Sequence, residues 1–321
     1  MRFVVLVLSA VLGATAALAQ GAYPNKPIKM VVPFPAGGPT DVVGRLAATK
    51  MTEILGQQVV VENRAGAGGN IGADVVAKSS ADGYTVLLGT VATHAINSAL
   101  YKVIPYDPIA DFKSVALLAQ VPLMLTVHPN LPVTDVKSLI AYAKANPNKV
   151  TFASSGNGTP LHLAGVLFSS MAGVELLHIP YRGTAPAMQD HTAGQVPVMF
   201  DAISTATPHA RAGTIRAFAV TTPQRSSAWP DLPTMAEAGI PGYEAYTWNT
   251  LFVPSKTPDD IVNKLANAAM SAMKDKGIDD HLAGIGVTVV ADSGPDKTAA
   301  FVKSEFAKWG PIVAKSGAKI D

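Results

Sequence analysis

The sequence predicts an α/β protein built as two lobes, and three observations predict it. Short Val/Ile/Leu-rich runs alternate with amphipathic stretches almost from end to end, the pattern of strands and helices in layers with largely parallel sheets. The chain of 321 residues is longer than one hydrophobic core usually serves. Two Pro- and polar-rich stretches, 128–135 and 221–234, mark crossings without a low-complexity linker, so a second lobe is inserted into a discontinuous first. The expected lobes are 22–122 plus 241–321, and 123–240. Ligands of such α/β pairs sit in the cleft between lobes, beyond strand C-termini.

The elements follow in order. "MRFVVLVLSAVLGATAALAQ" has Arg2, a short apolar core, and Ala17-Leu18-Ala19 before Gln20. It reads as a secretory leader, 1–19, cleaved after Ala19. Its apolar core is too short for a span of roughly 20 residues, so export rather than anchoring is expected. The apolar run Met30 to Val32 breaks at Pro33, passes Gly37-Gly38, and restarts as an amphipathic pattern at Thr40-Asp41: strand 28–33, loop, helix 40–55. Strand 58–62 leads into Gly66, Gly68 and Gly69. These nearly match a dinucleotide fingerprint, but Ile71 stands at the sixth position and Gly72 comes one later. The run therefore reads as a turning loop feeding helix 70–78. Strand 84–88, helix 93–99, strands 115–119 and 123–128, and helix 135–145 follow, the last started by Thr134-Asp135.

"VTFASSGNGTPLHLAGVLF", 150–168, repeats the arrangement of the first loop. Strand 150–153 runs into small residues, then Thr159 caps a helix 160–172 with Pro160 at its first position. Beyond it lie strand 176–179, helix 184–193, strand 197–200, helix 203–212, strand 215–221 and helix 234–238. Strand 251–253 comes next, then helix 258–274 capped by Thr257 and opened by Pro258 with Asp259-Asp260 in its first turn. Helix 276–283, strand 287–290 and helix 295–315 complete the chain.

Composition removes several functions. There is no cysteine, hence no thiol nucleophile, no Cys-based metal site and no cysteine to carry a lipid. The net formal charge is +2 with no basic cluster or basic–aromatic interleaving, which argues against nucleic acid and acidic membranes as partners. The seven histidines show neither HxxxH nor HExxH spacing, so no metal or other cofactor is expected. Ser154, Ser155, His94 and His162 raise a hydrolase as the rival reading, but "ASSGNG" lacks the glycine two residues before either serine that a nucleophile elbow has.

What remains is two strand–loop–helix turns, one in each expected lobe. Two helix N-termini facing one cleft would give partial positive charge and neutral donors, which suits a small carboxylate. Asp201 ends an apolar strand and reads either as a cap for the helix after it or as a partner for a ligand ammonium or hydroxyl. Arg182, in "HIPYRGTAPAMQD", reads either as a carboxylate clamp or as a surface residue.

The sequence resembles the exported solute-binding proteins of tripartite tricarboxylate transporters, the Bug receptors. "YPNKPIKMVVPFPAGGPTDVVGRLA", "VVVENRAGAGGNIGADVVAKSSADGYTVLLGT", "FASSGNGTPLHLAG", "HIPYRGTAPAMQD" and "LPTMAEAGIPGY" carry the resemblance in order along the chain. It implies a two-lobe periplasmic binding protein, type II-like, closing on its ligand like a flytrap, monomeric and without enzymatic activity. It further implies a carboxylate held between Phe34, Ala36, Gly37, Gly38, Thr40 and Asp41 on one side and Ser154, Ser155, Gly158 and Thr159 on the other. Thr90, His94, Tyr181 and Asp201 are the further cleft residues it suggests. The expected ligand is a dicarboxylate, an aromatic carboxylate or an acidic amino acid, delivered to membrane transporter subunits. A sensory partner of a membrane signalling protein would use the same site. Val166 and Ala65 stand where many relatives carry Glu and Pro.

Overall fold

A computed structural model describes residues 23–316, 319 and 320, and the leader read at 1–19 lies outside the described residues. The first elements are β1 (Ile28–Val32), α1 (Pro39–Leu55), β2 (Val59–Asn63), a 3-10 turn (Ala67–Gly69), α2 (Asn70–Ala77) and β3 (Thr85–Gly89). β1 lies between β2 and β3, parallel to both. A π-helical turn (Ala92–Ile96) then runs into the short α3 (Asn97–Leu100), where a regular helix is predicted from sequence. After α3 comes β4 (Phe112–Val127), then α4 (Val136–Ala145), β5 (Thr151–Ser154), α5 (Pro160–Ala172), β6 (Leu177–Pro180), α6 (Thr184–Thr192), β7 (Val198–Ala202), α7 (Ile203–Arg211) and β8 (Arg216–Val220). The last elements are β9 (Tyr246–Pro254), α8 (Asp259–Met273), α9 (Lys276–Gly284), β10 (Thr288–Val289) and α10 (Gly294–Ser316).

The two strands expected at 115–119 and 123–128 are one, and that strand organises the molecule. Residues 112–122 of β4 pair antiparallel with β9, whereas 123–127 are flanked by β7 and β8, also antiparallel. One continuous order results, β2-β1-β3-β9-β4-β7-β5-β6, with β8 and β10 attached to β4. The sheet is therefore mixed rather than largely parallel: parallel pairs lie at its two ends and antiparallel pairs around β4. Where the pairing changes, Thr221 ties the strands together. Its hydroxyl accepts from the Leu123 amide, its amide donates to the Leu123 carbonyl, and its carbonyl accepts from the Ala245 amide. The result is an α/β structure in which a buried apolar core runs through both ends of one mixed sheet.

Local signals explain most boundaries. Asp135 caps α4 in a reciprocal box with Ser138, and Thr159 caps α5 ahead of Pro160. Two expectations fail for local reasons. Thr257 does not cap α8, because its side chain is buried without a partner and Pro258 takes the cap position. Residues 234–238 close only one turn: Thr234 and Glu237 cap each other, and Gly239 at φ 109° stops propagation. No helix among the described residues is long and apolar enough to cross a membrane.

Candidate functional site

The loop from β1 to α1 is held in shape by one carboxylate. Asp41, 3% exposed, accepts from the Gly37 amide at 2.9 Å, from Arg45 Nε at 2.8 Å and from Asn63 Nδ2 at 2.9 Å. Asn63 Nδ2 also donates to the Phe34 carbonyl, so both ends of the loop are tied. Burial alone would raise the Asp41 pKa, but the bonds from Arg45, Gly37 and Asn63 outweigh it and leave the carboxyl below its ordinary range. The cap position of α1 is Gly38, with no side-chain cap, and Pro39 follows. The first-turn amides of α1 are thus left for a ligand.

The loop from β5 to α5 is built from beneath by two histidines. His162 accepts from the Gly158 amide at 3.2 Å and stacks on His178 at 3.9 Å. His178 Nε2 meets Ser154 Oγ at 2.7 Å. Burial depresses both imidazoles, to about 4 for His162 and about 3 for His178, so both are neutral near neutral pH, and His162 Nδ1 is free to accept from Gly158. Gly158 sits at φ 75° against Tyr101 and Leu100, a conformation and a clearance that suit glycine alone.

The two loops meet across a cavity of about 160 Å³. Of the residues expected at the site, Phe34, Ala36, Gly38, Thr40, Thr90 and Ser155 line it. Thr159 and Tyr181 line a second space of about 600 Å³ that shares Phe34, Pro35, Ser155 and Arg182 with the first and forms its mouth. Tyr101 donates to the Asn157 carbonyl at 3.3 Å across this mouth.

The other expected residues do not line this cavity, for physical reasons. Gly37 and Asp41 are occupied with each other. Ser154 is fully buried and spent on His178 and on the 156 backbone. Gly158 turns its amide to His162. His94 is fully buried, stacked 3.6 Å from Phe252, with its pKa pushed by burial to about 3. Asp201 is fully buried beside β4 and accepts from Thr205 Oγ1 at 2.5 Å in the first turn of α7. That places it at the start of a helix rather than on the cavity wall, and burial pushes its pKa up to about 7.

Sequence reasoning missed the apolar part of the wall, notably Pro39, Pro160 and Leu161, and a third helix start, Gly183 to Pro186. Thr247 of β9 was missed as well. Gly183-Thr184 before an amphipathic run is the same signal as in the other two loops. Nothing in the sequence singles out Thr247. Arg182 is the one charged residue of the wall among the described residues. No Ser–His pair among the described residues faces the cavity, since the Ser154–His178 pair is enclosed and Ser155 lines the cavity without a histidine in the wall. Among the described residues no group of acidic, histidine or cysteine side chains is placed to hold a metal.

A sequence profile described as "Tripartite tricarboxylate transporter family receptor" matches residues 43–318. Protein BugT of Bordetella pertussis is 38% identical over 318 residues, covering 99% of this chain and 97% of BugT. The solved structure of R. palustris Rpa4515 with adipate is 39% identical, with a TM-score of 0.89 over 93% of this chain and 100% of that one. The periplasmic binding protein BugD is 38% identical, with a TM-score of 0.87 over 92% of this chain and 99% of that one.

Proposed function

The chain belongs to the tripartite tricarboxylate transporter receptor family, whose members bind solutes rather than transform them, and from that premise we propose that it captures a small organic carboxylate in the periplasm for a membrane transporter of the tripartite type. The observation that carries the reading is the convergence of two helix starts, α1 at Gly38–Thr40 and α5 at Pro160–Leu161, on one cavity whose wall, among the described residues, includes no Asp or Glu. Helix N-termini and neutral hydroxyls stabilise an anion without an opposing charge. The ligand adipate in Rpa4515 supports a carboxylate for this chain too. The leader at 1–19 supports export with cleavage after Ala19. The lobes are 22–122 plus 241–321, and 123–240, a division supported by the change of β4 partners after Pro122. Phe34, Ala36, Gly38, Thr40, Thr90 and Ser155 form the ligand wall, and Thr159 and Tyr181 its mouth.

The test is a thermal shift of purified protein stripped of ligand by unfolding and refolding, against mono-, di- and tricarboxylates. A ligand at 100 times its Kd stabilises by about 2.7 kcal/mol, a few degrees for a chain of this size. Thr40→Ala and Ser155→Ala should each reduce the shift. The absence of a shift with every carboxylate would refute the proposal.

A further inference from the structure

The mouth of the cavity is crossed by a contact in which the inner wall takes no part. Tyr101, directly after α3, donates its hydroxyl to the backbone carbonyl of Asn157 in the loop from β5 to α5. The two residues belong to different proposed lobes. The tyrosine ring is seated between two glycines, one from each side of the mouth. A Cβ on Gly68 would stand 2.8 Å from Tyr101 Oη and 3.4 Å from the Asn157 carbonyl oxygen. One on Gly158 would stand 2.9 Å from Tyr101 Cε2 and 3.2 Å from Leu100 Cδ2. Any side chain at either position would displace the ring.

Both partners are fixed by other bonds. The backbone at Tyr101 pairs in parallel with Ile320. The Ile320 amide donates to the Leu100 carbonyl at 2.9 Å, and the Lys102 amide donates to the Ile320 carbonyl at 3.1 Å. On the other side, Asn157 lies between two anchored neighbours. Thr159 Oγ1 donates to the Gly156 carbonyl at 2.8 Å, and the Gly158 amide donates to His162 at 3.2 Å. The same loop carries Ser155 into the cavity wall. The acceptor for Tyr101 is therefore offered by a loop of the proposed ligand site, and the bond exists only when the two sides of the mouth are together. Tyr101 itself lies outside the inner cavity and lines the mouth with Gly68, Asn157 and Ile320.

Building on the receptor function proposed above, we propose that Tyr101 is the latch of the closed receptor. Its ring in the Gly68–Gly158 slot and its hydroxyl on the Asn157 carbonyl hold the mouth shut and set how fast the ligand leaves. It acts on the release rate rather than on which carboxylate is chosen.

The chain has no cysteine, so the separation of the two sides can be measured directly. Spin labels on Val75→Cys in α2 and Met171→Cys in α5, both exposed positions, report that distance by pulsed electron resonance without a ligand. In the labelled protein, Tyr101→Ala should shift the distribution to longer distances. Tyr101→Phe, which keeps the ring and so guards against loss of the fold, should shift it less. With adipate as the probe, stopped-flow release should be about fivefold faster from Tyr101→Phe, the change expected for one neutral hydrogen bond, with association within about twofold. An unchanged distance distribution in Tyr101→Ala would overturn the latch whether or not adipate binds. Equal release rates from Tyr101→Phe and the parent would overturn it too, and leave the receptor reading standing. Failure of every carboxylate to bind would remove the receptor reading, and the distance measurement would still decide whether Tyr101 holds the two sides together.

Discussion

Replacing Asp41 by alanine isolates what the loop between β1 and α1 costs to hold in shape. Three donors lose their acceptor: the Gly37 amide, Asn63 Nδ2 and Arg45 Nε. Arg45 has a half-exposed side chain and rehydrates, so its share is at most about 1 kcal/mol after screening. The other two donors are partly buried, and each loses a bond worth about 1–1.5 kcal/mol to a charged acceptor that water replaces incompletely. The sum is about 3 kcal/mol, a fall in melting temperature of roughly 6–9 °C at about 2–3 °C per kcal/mol for a chain of this size. Asp41→Asn is the sharper control. It keeps the shape but turns an N–H₂ group towards at least one of three donors, so it should recover less than half of the loss. Because Asp41 stays below its ordinary carboxylate pKa in the fold, its contribution is present above about pH 4 and fades as pH falls through the folded value. Urea unfolding at pH 7 followed by circular dichroism measures all three proteins. A loss below 1 kcal/mol for Asp41→Ala would refute the account of the loop given above.

Two other perturbations follow from burial. Gly165 of α5 faces Phe152 so closely that a Cβ would overlap the ring, which is itself packed among His178, His162 and Phe200. Gly165→Ala should cost about 2–3 kcal/mol despite alanine's helix preference, and an unchanged urea midpoint would contradict that packing. Stability should also fall from about pH 6.5 towards pH 4. His94, His162, His178 and His191 are depressed by burial to between about 3 and about 4, so over that window the unfolded chain takes up protons that the folded one does not. Asp201, raised to about 7, opposes this with a proton bound by the folded state alone, and one group does not offset four. A urea midpoint that is flat or rising between pH 7 and pH 5 would count against the assignment, and Asp201→Asn should steepen the decline.

Where a single residue decides a local outcome, the sequence was readable. Thr159-Pro160 set the start of α5, and the glycine loop before Thr40 was placed correctly between β1 and α1. β4 was not readable, because Pro122 in an apolar run looks like a strand end. Here Pro122 stands opposite Tyr246 at the point where β9 gives way to β7 and β8, so the missing N–H falls where the ladder changes partner. Asp201 shows a limit of another kind. Its position at a strand end was legible, but only the packing of β4 against β7 tells whether that end faces the cavity or the core. Thr247 is invisible for a related reason, since alternation along β9 does not tell which face borders a cavity made by other segments.

The shared strand has a mechanical consequence. A receptor whose halves hang on flexible linkers must freeze those linkers each time it closes, and the ligand's affinity falls by the entropy lost. Here the halves meet in one uninterrupted strand, with Thr221 riveting Leu123 to the returning chain at Ala245. The pivot is ordered before any ligand arrives. Under the receptor function proposed above, closure would twist an existing ladder rather than order a loose linker, and the joint would stay folded as ligand leaves.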